Sequence, residues 1–136
     1  MICLFCDNLK TRTTNSRPRK DIPYTWRRHT CDNCGATFTT EESPSLAIEV
    51  KVMQDSGEQM PFSTSHLIHS IIASFAHDKQ RGIIESEFLA MTIKQKLFSL
   101  KQYSFTTKEI AAITHKTLTN YDKKAALQYA ALHDLL

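Results

Sequence analysis

The second half of the chain places its hydrophobic residues with two different periods, and the first of them is that of a strand. In residues 46–52 (LAIEVKV), apolar side chains occupy every second position, which predicts a half-buried strand. The turn-forming residues DSG follow at 55–57, and EQMPF predicts a short returning strand. Together these segments predict a β-hairpin.

After the hairpin, apolar residues recur at the i, i+3, i+4 spacing of amphipathic helices. A first helix is predicted over residues 63–76, with Ser63 as its N-cap. A second helix is predicted over residues 85–100. The expected buried positions are Leu67, Ile68, Ile71, Ile72 and Phe75 in the first helix, and Phe88, Leu89, Ile93, Leu97 and Phe98 in the second.

Two further helices are predicted near the end of the chain. Thr106 and Glu109 have the spacing of a capping box, which opens the third helix. Residues 119–122 are expected to break the pattern before the fourth. The expected inward positions of these two helices are Ile110, Ile113, Leu118, Ala125, Ala126, Tyr129, Ala130 and Leu132.

The first 44 residues lack these periods and carry all four cysteines of the chain, in two C-x-x-C pairs. Each pair presents two sulfurs to one metal, and two pairs with this connecting length are typical of a tetrahedral zinc site. The predicted ligands are Cys3, Cys6, Cys31 and Cys34. A rubredoxin-like iron site and two disulfides are the alternatives. Disulfides are disfavoured because the first residues do not form a secretion signal.

The residues around the cysteines predict a zinc ribbon. In so small a module, metal binding supplies the folding free energy that a hydrophobic core supplies in larger domains. Residues 24–30 and 36–41 are rich in β-branched and aromatic side chains, which predicts strands. Trp26 and Phe38 are expected to form an apolar patch under the metal, although Trp26 is also suited to stacking on a base. Ser43, Pro44 and Ser45 mark a boundary. The predicted fold is therefore α+β, with a ribbon at 1–44 and a mainly helical domain at 45–136.

Composition and charge limit the classes of function that the chain can have. The 136 residues are 41% hydrophobic and 23% charged, as in globular proteins, with no apolar run long enough to span a membrane. The net charge is only +3, but seven lysines and arginines lie between the two cysteine pairs. Such a cluster on a rigid module is typical of a phosphate-backbone binder, and a solvated basic surface is the alternative. The candidate DNA-binding residues are Arg12, Arg17, Arg19, Lys20, Arg27 and Arg28.

Over essentially its whole length the sequence resembles the NrdR family, bacterial repressors of ribonucleotide reductase genes. The matching features in the ribbon are the four cysteines, Ser16-Arg17, Arg27-Arg28 and FTTEE at 38–42. In the second half they are Val52, Gly57, Phe62, the segment HLIHSIIASF, Ala125 and Ala130. The resemblance implies a zinc ribbon joined to an ATP-cone domain, one structural Zn²⁺, ATP or dATP as ligand, and double-stranded DNA as partner.

The departures from the family pattern concern the nucleotide. The family's Lys-Arg pair appears here as Gln54-Asp55, its helix-start lysine as His66, and its tail arginine as Gln128. Losing three cations removes charge-assisted hydrogen bonds to a triphosphate, so we expect nucleotide binding to be lost or altered. The alternative is binding through other residues, such as Lys51. The residues assigned to the nucleotide by position are Val50, Lys51, Val52 and His66.

The sequence therefore predicts a DNA-binding regulator in the bacterial cytoplasm, associated with the nucleoid. Because one ribbon is a small footprint, the helical domain is expected to self-associate into a dimer or larger assembly. A zinc-ribbon adaptor that binds proteins without sequence-specific DNA binding is the alternative. An enzyme is not expected, since four cysteine ligands leave the metal no open position. Residues 105–130 superficially resemble a helix-turn-helix, but core packing is the preferred interpretation.

Overall fold

The computed structural model describes residues 1–136, which divide into two compact units, Met1–Pro44 and Ser45–Leu136. The first unit is an antiparallel sheet that carries the cysteine cluster, and the second is mostly helical. The α+β class predicted from the sequence is confirmed. No helix of the structure combines the length and apolar character that a membrane crossing requires.

The first unit is a three-stranded sheet in which the basic segment is itself a strand. Its strands are β1 (Arg12–Pro18), β2 (Thr25–Thr30) and β3 (Thr37–Glu42), in the order β1-β2-β3 with both pairs antiparallel. A register shift between Thr13 and Asn15 bends β1. The strands at β2 and β3 were predicted from their β-branched and aromatic residues. Strand β1 was not, because every residue in it is exposed and no alternation of burial marks it.

The second unit begins with a short helix, α1 (Leu46–Glu49), where the sequence predicted a strand. The prediction of a strand over residues 46–52 is wrong for its first half. The carbonyl of Ser45 accepts from the backbone N–H groups of Ile48 and Glu49, and Leu46 and Val50 are both buried. A one-turn helix brings Leu46 and Val50 to the same side, whereas Ile48, which the predicted strand would bury with them, is 72% exposed.

The hairpin that follows is shorter than predicted but present. It pairs β4 (Lys51–Met53) with β5 (Gln59–Pro61), and Gly57 takes a positive φ of 85° in the turn. A third strand, β6 (Ser104–Thr106), pairs with β4 in parallel and gives the order β5-β4-β6. Strand β6 is only three residues long and was missed, since three residues show no period.

Four helices complete this unit: α2 (Thr64–Ser74), α3 (Lys79–Ser99), α4 (Thr107–Tyr121) and α5 (Lys123–Leu132). Each is N-capped by a side chain that accepts a backbone N–H, from Ser63, Asp78, Thr106 and Asp122 in turn. The predicted capping box of Thr106 and Glu109 is confirmed. The break between the last two helices is a single residue, Asp122, and not the four residues predicted.

Helix α3 differs most from its prediction. It begins at Lys79 and not at residue 85, because the Asp78 carboxylate caps it by accepting from the Arg81 N–H at 3.1 Å. Leu89, Ile93 and Leu97 are buried as expected. Phe88 was predicted to be buried but is 63% exposed, and Leu132 of α5 is 59% exposed. Phe88 lies about 100° of helix rotation before Leu89, and Ala90, at the same angle after Leu89, is the neighbour that is buried.

The core of the second unit gathers side chains from every one of its helices. Its largest fully buried members include Phe75, Phe105, Ile71 and Leu118. Helices α2 and α3 approach closely where Gly82 meets Phe75, since a Cβ on Gly82 would lie 2.7 Å from the Phe75 Cβ. The close approach at this point therefore requires a residue without a Cβ.

Candidate metal centre and nucleic-acid interface

The two C-x-x-C segments form turns that aim their sulfurs at a common point. In the second turn, Gly35 donates to the Cys31 carbonyl at 2.9 Å with φ of 73°, and Cys31 donates to the Ala36 carbonyl at 2.9 Å. In the first, Asp7 donates to the Cys3 carbonyl at 3.2 Å, with Asp7 also at positive φ. A left-handed residue just after each pair lets the chain reverse around the metal position.

The four sulfurs have the spacing of a zinc tetrahedron. All four ligand atoms lie within 4.8 Å of one another. The Sγ atoms of Cys3 and Cys34 are 3.7 Å apart, and those of Cys6 and Cys31 are 3.6 Å apart. Zn–S bonds of about 2.3 Å in a tetrahedron give S···S edges of about 3.8 Å. A disulfide needs about 2.05 Å, so the geometry fits a metal and not a pair of disulfides.

Amide groups donate to two of these sulfurs, those of Cys6 and Cys31, and favour their thiolate form. The side-chain amides of Asn33 and Asn8 donate to the sulfurs of Cys6 and Cys31, at 3.5 and 3.7 Å. The backbone N–H groups of Cys34 and Asn33 and the side chain of Asn8 lower the pKa of Cys31 to about 6. Burial and the neighbouring sulfurs raise the pKa of Cys34 to about 12, against the backbone N–H of Ala36. Such outer hydrogen bonds orient metal ligands and reduce the charge that they present to the ion. Neither asparagine was singled out from the sequence.

The apolar cluster of the ribbon is very small and consists of Cys3, Cys31 and Phe38. The ring that packs on Phe38 is His29, 6% exposed, with a centroid distance of 5.2 Å. Its Nε2 is 2.7 Å from the Thr40 hydroxyl, and its Nδ1 is 3.4 Å from that of Thr13. The expectation that Trp26 covers this patch is wrong. Strand alternation explains it, because His29 pairs with Phe38 while Trp26 pairs with Glu41 on the opposite face.

That opposite face of the sheet carries the exposed cations. Trp26 pairs with Arg17 across β1 and β2, and the Arg17 guanidinium lies 5.7 Å from the centre of the Trp26 ring. Arg28 lies on the same face and donates to the hydroxyls of Thr37 and Thr39 at 2.8 and 3.0 Å. We call Arg17, Trp26 and Arg28 the outer ribbon face. It is a small surface with two arginines and one aromatic ring, and the Glu41 carboxylate, which accepts from the Tyr24 hydroxyl, lies beside Trp26 on the same face.

The other predicted DNA-binding residues are placed differently. Three of them form ion pairs with exposed carboxylates: Arg12 with Asp32, Arg19 with Asp21, and Arg27 with Glu42. Arg27 pairs across the sheet with Thr40, on the His29 side. Lys20 is exposed in the connection between β1 and β2 and has no carboxylate partner. The structure therefore brings Arg17 and Arg28 together and leaves the remaining candidates around the edges of the sheet.

The second unit contains a cavity of about 710 Å³ between the hairpin, α2, α4 and α5. Of the residues predicted to contact a nucleotide, Val52 and His66 line it, and Val50 and Lys51 do not. The lining holds no lysine, arginine, aspartate or glutamate. Its walls are apolar side chains, hydroxyls and the Gln54 amide, together with the imidazoles of His66 and His133. Burial lowers the pKa of His133, which stacks on Tyr129 at a centroid distance of 4.1 Å.

Known proteins match both the first unit and nearly the whole chain. Residues 1–42 match the family model described as the N-terminal domain of the NrdR-like transcriptional repressors. The Transcriptional repressor NrdR of Chlamydia felis is 29% identical over 133 residues, which cover 98% of this chain and 86% of that protein. Its counterpart in Chlamydia trachomatis serovar L2 is 28% identical over the same span, 84% of its length. The chain is therefore similar to the NrdR repressors over nearly its whole length, and its first 42 residues match their N-terminal domain.

The metal centre at residues 1–42 is a zinc ribbon. The four cysteines hold one structural Zn²⁺, which the spacing of their sulfurs fits and the match to a zinc-ribbon domain indicates. All four positions of the tetrahedron are taken by thiolates, which leaves the ion no site for water or substrate. The zinc holds the two turns and the sheet that emerges from them, and it thereby fixes the outer ribbon face.

Proposed function

We propose that this protein is a zinc-ribbon transcriptional repressor that binds double-stranded DNA through the outer ribbon face. The observation that carries the proposal is the placement of Arg17 and Arg28 on one exposed face of a sheet that zinc holds rigid, with no carboxylate paired to either. The similarity to proteins named as NrdR repressors supports the same role. The protein acts in the bacterial cytoplasm and has no catalytic function.

The two arginines have different parts in this proposal. Arg28 is held by two threonine hydroxyls, so its guanidinium keeps one direction before DNA arrives and is suited to reading guanine in a groove. Arg17 lies beside Trp26 and is suited to phosphate or to a base edge. Phosphate contacts at the edges of the sheet come from Lys20 and from the ion-paired Arg12, Arg19 and Arg27. Each of these three arginines exchanges its carboxylate partner for a phosphate when DNA binds.

The test is binding of the full zinc-loaded protein to promoter duplexes over a range of salt concentrations. Arg17→Ala plus Arg28→Ala should weaken binding by more than tenfold and reduce the salt slope, by about one for each of the two that contacts phosphate. Lys116→Ala plus Lys124→Ala, which removes two exposed charges from the helical unit, is the matched control and should change neither. Unchanged affinity and slope in the ribbon variant would refute the proposal. Early elution of the wild type from a DNA resin would favour the adaptor function instead.

We further infer that the helical unit does not bind ATP or dATP. The cavity that contains Val52 and His66 offers no cation to a triphosphate, and nearby Asp55 adds negative charge. Native mass spectrometry with either nucleotide should show zinc-loaded protein without a bound nucleotide. Gln54→Lys plus His66→Lys, which returns two cations to the cavity wall, should produce detectable binding. A nucleotide complex of the wild type would show that other residues, such as Lys51, bind the phosphates.

A single ribbon contacts too little DNA for useful specificity, so the proposal includes self-association of the helical unit. Two copies would place two outer ribbon faces on repeated sites. Sedimentation of the full chain and binding to duplexes with one or two sites measure this part separately from DNA contact.

A further inference from the structure

Helix α3 has a second apolar side that no part of the chain covers. Ile84, Phe88 and Met91 are 68%, 63% and 42% exposed, although Leu89, Ile93 and Leu97 of the same helix are buried in the core. The three exposed residues are separated by four and three positions, which places them on one line along the helix. Together with Glu87 and Lys94 at its border, we call this surface the α3 outer face.

The spacing of this surface is that of a helix–helix seam. Positions 84, 88, 91 and 95 continue the alternating steps of four and three that put side chains at the a and d positions of a heptad. Gln95 is the fourth member. A second helix that packs here would bury an apolar row which water now contacts, and this burial supplies a favourable free energy of association.

Two opposite charges lie on one flank of the row. Glu87 and Lys94 are seven residues apart, so they occupy equivalent flanking positions two turns from each other. Neither forms an ion pair within the chain, whereas neighbouring Arg81 is paired with Asp122 and Glu85. A surface with one acid and one base at equivalent positions is complementary to itself when it is rotated by a two-fold axis.

From this geometry we propose that the α3 outer face pairs with the same face of a second copy of this chain, with the two helices antiparallel. In that arrangement Phe88 packs against Met91 of the second copy, and Ile84 lies opposite Gln95. Equivalent flanks face each other in an antiparallel pair, so Glu87 lies beside Lys94 of the second copy, and the reverse contact forms at the other end. A parallel pair would place Glu87 beside Thr92 and leave both charges without a partner.

The proposal rests on the self-association included in the proposed function and names the surface that carries it. A row of three apolar residues is small for a stable dimer, so the association is weak in free solution. Two adjacent DNA sites raise the effective concentration of one copy near the other, which converts weak pairing into cooperative binding. The occupancy of paired sites thereby depends on this helix face.

Sedimentation velocity of the full zinc-loaded chain at concentrations up to about 100 μM tests the pairing. The wild type should sediment as a concentration-dependent dimer, and Phe88→Lys should weaken dimerisation by at least tenfold. Leu127→Lys is the matched control, because Leu127 is 61% exposed on α5 and lies outside the α3 outer face. A monomeric wild type, or equal effects of both variants, would overturn the proposal. Far-UV circular dichroism and zinc content confirm that each variant is folded.

The direction of the pair has its own test. Glu87→Lys and Lys94→Glu should each weaken dimerisation, because each places like charges together. The double variant Glu87→Lys plus Lys94→Glu exchanges the charges and should restore dimerisation to within about threefold of the wild type. Failure of the double variant to recover would exclude the antiparallel arrangement.

DNA binding separates this proposal from the proposed function. Phe88→Lys should bind a duplex with one site as tightly as the wild type, and should lose the cooperativity seen on a duplex with two sites. A variant that loses one-site binding as well would show that Phe88 does not act through pairing. A wild type that dimerises but binds no promoter DNA would refute the repressor function and leave the α3 pairing intact.

Discussion

The two units of this chain are stabilised by different means, and the difference determines what each can carry on its surface. The ribbon buries a cluster of three residues, two of them cysteines, whereas the core of the helical unit contains seventeen. In the ribbon the metal takes the place of an apolar core, so its side chains are left free to carry charge. In the helical unit burial of apolar area is the main stabilising term, and its exposed apolar row on α3 is the surface for which we propose a second copy as partner.

Removal of the zinc is expected to have the largest effect on stability and to unfold only the ribbon. A chelator, or Cys31→Ser, should unfold the ribbon, because binding of a structural zinc ion contributes roughly 10–16 kcal/mol. The strand signals of the ribbon should disappear from amide NMR spectra while those of α2 to α5 remain. Loss of both sets of signals would show that the units do not fold separately.

The converse experiment removes a side chain from the helical core. Phe75 is fully buried and packs against Gly82, so Phe75→Ala should destabilise the helical unit by about 3–5 kcal/mol. Chemical denaturation followed by far-UV circular dichroism measures the loss. Zinc affinity, measured by competition with a chromophoric chelator, should be unchanged. A lower zinc affinity in Phe75→Ala would contradict the conclusion that the metal and the apolar core stabilise different units.

The Asp122 carboxylate makes the stability of the helical unit depend on pH. Its pKa lies below the ordinary value because the Ala125 backbone N–H donates to it, with further contributions from His77 and Arg81. A lowered pKa in the folded state adds stability above about pH 4, which is lost as the pH falls through the folded value. Asp122→Ala should therefore cost about 2–3 kcal/mol at neutral pH and much less in acid, as measured by chemical denaturation at each pH.

Asp122→Asn separates the two roles of this residue. It keeps an oxygen that accepts from the Ala125 N–H but loses the charge beside Arg81. Its stability should lie between those of the wild type and the alanine variant, with a weaker dependence on pH. An asparagine variant as unstable as alanine would assign the whole effect to the ion pair.

The smallest expected effect concerns the groups around the zinc ligands. Asn33→Ala removes the amide that donates to the Cys6 sulfur, and should lower zinc affinity by about 10- to 100-fold without unfolding the zinc-loaded ribbon. Asp32→Ala is the control, because the exposed Asp32 carboxylate lies in the same turn and pairs with Arg12, not with a sulfur. Equal losses in both variants would indicate a general change in the turn.

Much of the metal site was predictable from the sequence because it depends on local spacing. Two C-x-x-C pairs determine the ligands, and alternating β-branched residues determine β2 and β3. The buried neighbours were harder. His29 packs on Phe38 because of the register between β2 and β3, and register is a non-local property that composition does not reveal. The same limitation led to the wrong placement of Trp26 under the metal.

The helical unit shows a second limit. Helices α2, α4 and α5 follow from apolar spacing and capping residues, since these signals repeat over several turns. The periodic signal of α3 is ambiguous because the helix has apolar residues on two sides, and Phe88 was assigned to the wrong one. Short elements such as α1 and β6 have too few residues for any period. Their conformation is set by contacts with distant segments, as in the parallel pairing of β4 with β6.

The two threonine hydroxyls that hold Arg28 also bear on the choice of arginine at this position. A free arginine side chain samples many rotamers, and fixing them on binding costs up to about 2 kcal/mol of entropy. Two nitrogens of the Arg28 guanidinium already donate to Thr37 and Thr39. Much of the side chain is therefore ordered before any ligand binds. Lysine has the same charge but only one terminal nitrogen, and it cannot bridge two hydroxyls and a ligand in a fixed plane. The sheet thus gives a flexible residue the behaviour of a rigid one.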